Sequence, residues 1–79
     1  MIMQFQAEYT DTFGGVANYS WVRRETFDAD QNATNALIMR RAKAACGLSG
    51  VRGRTEDQGD ALAFRPYRSC TVLFVTPVY

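Results

Sequence analysis

Seventy-nine residues, 47% hydrophobic and 13% aromatic, make one small globular domain over residues 1–79 and exclude a disordered chain. A formal net charge of +1 excludes a uniformly basic nucleic-acid binder and an acidic DNA mimic alike. A chain of this size buries only about 60% of the surface its unfolded form exposes, so much of the molecule stays uncovered.

Residues 3–9 alternate, with Met3, Phe5, Ala7 and Tyr9 on one side and Gln4, Gln6 and Glu8 on the other. That period of two predicts a half-buried strand. Thr10 to Gly15 reads as a turn ending in a glycine pair. Residues 16–24 alternate again and predict a hairpin partner, with Ala17, Tyr19 and Trp21 facing the core. Asp28 and Gln31 then resemble a capping box, with Asp30 adding charge near the first turn of a helix. Its expected apolar face is Leu37, Ile38, Ala44, Ala45 and Leu48, interrupted by Arg41. Arg41 is expected to snorkel at the sheet edge or to pair with a carboxylate. Gly47 suits the position after the helix end, with Leu48 packing back.

Val51 to Glu56 predicts a short strand carrying Arg52, Arg54 and Glu56 on one face. Asp57 to Asp60 predicts a turn, and Ala61 to Arg65 a strand with Leu62 and Phe64 inward. Pro66 to Ser69 breaks it. Cys70 to Thr76 follows and is apolar at both alternating sets of positions, with Pro77 ending it. A strand apolar on both sides belongs in the middle of a sheet.

The order ββαβββ therefore predicts an α+β fold: an antiparallel five-stranded sheet, spatial order 2-1-5-4-3, with one helix across one face. Val72 and Phe74 are expected beneath the helix. The other face is expected to be bare, with Leu73 and Val75 at its centre and Arg24, Arg52, Arg54, Arg65 and Arg68 around them. An apolar centre with a polar rim is how protein-binding patches are built.

Charge is unevenly placed. Residues 1–30 carry two arginines against five carboxylates, and residues 40–68 carry seven cations against three. Eight of the nine cations are Arg, the better residue for planar contacts to carboxylate or phosphate. GC-rich codon usage would give the same Arg and Ala enrichment.

Chemistry is thinly represented. The chain has no His, and neither Cys46 nor Cys70 has an evident base partner, so no enzyme activity, metal or cofactor is expected. The two cysteines read as reduced, buried thiols. Nothing resembles a targeting signal or a bilayer-spanning run, so the expected location is the cytoplasm. The expected state is a monomer, with an exposed sheet edge as a route to a homodimer.

The runs Glu8–Arg24, Arg40–Val51 and Arg65–Thr71 resemble a group of small phage and prophage proteins. Among these is an anti-CRISPR inhibitor of the type I-C system. The resemblance implies a non-enzymatic protein acting in the host bacterial cell. It would bind the Cascade surveillance complex at a Cas7 or Cas8 surface and block target DNA binding. The alternative from the residues themselves is a small phage protein that binds nucleic acid through the same arginines.

Overall fold

The computed structural model describes residues 1–14 and 16–78. Gly15, half of the expected glycine turn, lies outside the described residues. Five strands and one helix follow in the order β1 (Ile2–Phe13), β2 (Val16–Asp30), α1 (Asn35–Ala45), β3 (Gly53–Asp57), β4 (Leu62–Pro66) and β5 (Thr71–Pro77). All pair antiparallel in one sheet of order β2-β1-β5-β4-β3. The doubly apolar β5 occupies its centre, as its composition demands.

The first hairpin is longer than its alternation suggested. Register holds from Ile2↔Asp30 to Thr10↔Val22, then resumes at Thr12↔Ala17. Asp11 alone therefore opposes Asn18 to Trp21, which form a wide bulge. The Asp11 carboxylate holds it, accepting from Asn18 Nδ2 at 2.8 Å, Ser20 Oγ at 2.7 Å and the Ser20 N–H at 3.3 Å. Thr10, fully buried, donates its hydroxyl to the Trp21 carbonyl. Tyr19 takes a φ of 57°, a left-handed conformation unusual for an aromatic residue. Tyr19 and Trp21 are thus about half exposed rather than core, with Trp21 edge-on to Tyr9 at 5.4 Å between ring centroids.

The helix begins later than the Asp28–Gln31 pattern implied. Both Asp28 and Asp30 belong to β2, and Thr34 is the cap, its hydroxyl accepting from Leu37 N–H at 3.2 Å. The C-terminus follows expectation. Gly47 turns left-handed at φ 74°, Leu48 N–H donates to Lys43 C=O at 2.7 Å and Gly47 N–H to Ala44 C=O at 3.2 Å. Arg23 of β2 reaches the last carbonyls, Cys46 at 3.4 Å and Ala45 at 3.5 Å, placing a cation at the negative end of the helix dipole. Arg41 does reach the sheet edge, where it donates to the Asp28 carbonyl at 2.9 Å.

The buried stripe of α1 is Ile38, Met39, Ala42 and Cys46; Ala44 is exposed and Leu37 and Ala45 only half-buried. Ala42, with no long side chain, allows the close approach to the sheet. Against this stripe pack Phe5, Ala7, Ala29, Leu62, Phe64, Leu73 and Val75, with Phe27 stacked on Phe5 at 5.6 Å. Phe64 explains Gly53. A Cβ there would stand 2.4 Å from the Arg65 carbonyl oxygen and 2.7 Å from the Phe64 ring. Lys43 covers the same ring at 4.4 Å from its centroid and donates to the Val51 carbonyl at 2.6 Å.

Candidate functional site

One face of the sheet carries α1 and, among the described residues, the other carries no element. Strand register assigns the bare face. Arg24 lies opposite Glu8, Glu8 opposite Phe74, Phe74 opposite Ala63 and Ala63 opposite Glu56. This row crosses all five strands. Beside it, Thr10 lies opposite Val72, and Arg65 opposite Arg54.

The structure corrects the centre of the expected site. Leu73 and Val75 point to α1 and are 0% and 1% exposed, so neither can touch a partner. Their pairing opposite Tyr9 and Ala7 fixes this, because Phe5, Ala7 and Tyr9 share the helix side. Val72 and Phe74, expected under the helix, belong to the bare face. Val72 and Ala63 are nonetheless fully buried among their sheet neighbours, while Phe74 stays half-exposed. The apolar centre therefore exists, with Phe74 as its accessible side chain.

The arginines divide into three groups. Arg24 holds Glu8 at 3.1 Å on the β2–β1 side. Arg65 and Arg54 converge on Glu56 from adjacent strands, at 3.4 and 4.0 Å. Arg24 and Arg65 sit three strands apart, about 14 Å at normal strand spacing. Arg52, just before β3, and Arg68, just after β4, are exposed, and the two segments join where Tyr67 N–H donates to the Arg52 carbonyl at 3.2 Å. With Val51, Pro66, Ser69 and the exposed Tyr67 they bound a groove of about 480 Å³.

Two titrating groups depart from ordinary behaviour, both away from this face. Asp11 is held below the usual aspartate value, first by the Ser20 hydroxyl, against opposing desolvation and with help from Asn18. Burial pushes the Cys46 thiol up, partly offset by the Arg23 charge. Both cysteines are free, but only Cys46 is buried as expected; Cys70, in the connection ahead of β5, is exposed. Among the described residues no three metal-ligating side chains cluster, and no helix is long and apolar enough to cross a membrane.

Comparison with known proteins returned no match: no family model, no curated protein and no solved structure aligns significantly with this chain.

Proposed function

We propose that the protein is a non-enzymatic binding module that docks its bare sheet face on another protein. In its sharper form, the partner is a Cascade subunit of a type I-C CRISPR system, and docking blocks target DNA binding. The observation that carries the docking reading is the composition of that face. Phe74 projects beside the buried Val72 and Ala63, with Arg24–Glu8 and Arg54/Arg65–Glu56 on either flank. The sequence resemblance supplies the identity of the partner.

The carboxylates beside the arginines favour a protein partner over nucleic acid. A phosphate backbone approaching Arg24 or Arg65 would meet Glu8 or Glu56 as well, and like charges oppose it. A protein surface accommodates mixed charge by complementing both signs.

Purified type I-C Cascade and labelled target DNA test this directly. The protein is expected to co-purify with the complex and to abolish the DNA shift at stoichiometric ratio. Phe74→Ala is expected to weaken binding about 30-fold, the effect of losing an aromatic anchor worth about 2 kcal/mol. Absence of any complex at micromolar concentration removes the Cascade identity. A salt-sensitive shift of DNA by the protein alone would move the reading to nucleic acid.

A further inference from the structure

The outer edge of β2 lies open to another strand. Gln31 N–H donates to the Met1 carbonyl at 3.0 Å, in register with the β1–β2 ladder. The odd-numbered residues of β2 therefore direct their backbone groups to β1. The even-numbered ones, from Val22 to Asp30, direct theirs outward. Pairing with β1 is unbroken from Val22 to Asp30, and the bulge lies outside this stretch. The segment contains no Pro, and its charged residues, Arg23, Arg24, Glu25, Asp28 and Asp30, are of both signs, so they can complement a second strand rather than only repel it. Arg41 occupies the Asp28 carbonyl and Ala33 N–H the Asp30 carbonyl. Among the described residues, the outward groups of Val22, Arg24 and Thr26 carry no such cover, and a strand that also pairs with Asp28 must share or displace Arg41 at the Asp28 carbonyl.

We infer that β2 is the seam of a two-fold homodimer, in which β2 of a second copy pairs antiparallel with Thr26 opposite Thr26 on the axis. Charge selects that register. Arg24 then stands opposite Asp28 of the second copy, and Asp28 opposite its Arg24, on the bare face of the sheet. Sliding by two residues one way still sets Arg24 opposite a carboxylate, Asp30, but brings the two Asp28 carboxylates diagonal to each other; sliding the other way brings the two Arg24 side chains diagonal. A one-residue slide sets outward backbone groups against inward ones. The seam is self-complementary, so it closes at two copies and joins two five-stranded sheets into one. β3, the other edge, has five residues and offers a shorter template. The seam shares Arg24 with the docking face but is built on the backbone edge of β2, and it forms with no other protein present.

Sedimentation and light scattering on the purified chain give the test, with no partner present. The wild-type mass is expected to be that of a dimer at high micromolar concentration and to fall towards a monomer on dilution. Arg24→Asp and Asp28→Arg each turn two opposite-charge pairs into like-charge pairs. Each is expected to weaken association about a hundredfold. The double variant R24D/D28R restores the pairing with signs exchanged and is expected to restore the dimer. Circular dichroism establishes that each variant is folded; should Arg24→Asp unfold the chain by setting a second carboxylate beside Glu8, Asp28→Arg still decides. Thr26→Cys in a Cys70→Ser background is expected to oxidise to a linked dimer. Opposite residues of a hydrogen-bonded pair sit about 5.5 Å apart at Cα, within disulfide range. A monomer at every concentration, a dimer indifferent to Asp28→Arg, or a Thr26→Cys dimer that does not cross-link would each overturn the inference.

Discussion

Leu73 and Phe74 are neighbours in sequence with opposite duties. Leu73 is fully buried between the sheet and α1, whereas Phe74 is half-exposed on the bare side. Leu73→Ala is expected to cost about 3 kcal/mol, a buried-leucine truncation that leaves a cavity. In a domain this small that lowers the melting temperature by roughly 15 °C. Phe74→Ala is expected to cost about 1 kcal/mol, since its ring leaves less apolar surface uncompensated. Thermal melts of the two variants check this, and a larger loss for Phe74 would reverse the assignment of faces. Alternation within β5 does not decide the matter, because both of its sides are apolar. The connection before it does. Four residues, Tyr67 to Cys70, separate β4 from β5, and an even-numbered hairpin connection pairs residues of opposite parity. Phe64, legibly inward, therefore lies opposite Leu73 rather than Val72 or Phe74. The break read from the sequence, Pro66 to Ser69, is shifted by one residue but is also four long and gives the same parity, so it carries the information that hydrophobicity lacks.

At the scale of an element, the β1–β2 hairpin depends on one carboxylate. Sequence alternation located both strands but treated Asp11 as turn and Trp21 as core, because a bulge of four residues against one has no periodic signature. The clamp also has a pH signature. Asp11 titrates below its ordinary value of 3.8 in the folded chain, chiefly through the Ser20 hydroxyl. Its contribution is therefore complete above the unfolded value and is lost as pH falls through the lower native one. Trp21, the only tryptophan, sits in the bulge and reports on it. Its fluorescence is expected to change as pH falls below 3.8. In Asp11→Asn that step is expected to vanish and the neutral-pH spectrum to resemble the acid form of the wild type. An unchanged acid transition in the variant would assign it to another group. The helix shows the same limit of local reading. Its end was legible because Gly47 and Leu48 have one geometric use there, while its start was not, because Asp28 and Thr34 are both competent caps and strand pairing claimed Asp28.

For the whole molecule, topology was the most legible property. One doubly apolar strand, two hairpin-like pairs and a single helix long enough to cross the sheet leave few untangled antiparallel arrangements. The bare face was legible for the same reason, since one helix cannot cover two sides. The pairing of its arginines with Glu8 and Glu56 was not, because cross-strand partners depend on register. The strand order also ranks local stability. β1, β5 and β4 are paired on both sides, β4 over only five residues and next to the edge, whereas β3 is paired on one and spans five residues. Amide hydrogen exchange is expected to be slowest in β5 and β1 and markedly faster in β3. Uniform protection across the sheet would contradict this ranking.

The ammonium of Lys43 carries a practical corollary. It is the chain's single lysine, and it sits against the Phe64 ring with a bond to the Val51 carbonyl. Acylating reagents need that nitrogen free and uncharged, which requires Lys43 to leave the Val51 carbonyl and the Phe64 ring. Acylation of Lys43 in the native protein, located by peptide mass apart from the exposed N-terminal amine, thus becomes a clock for the release of that contact.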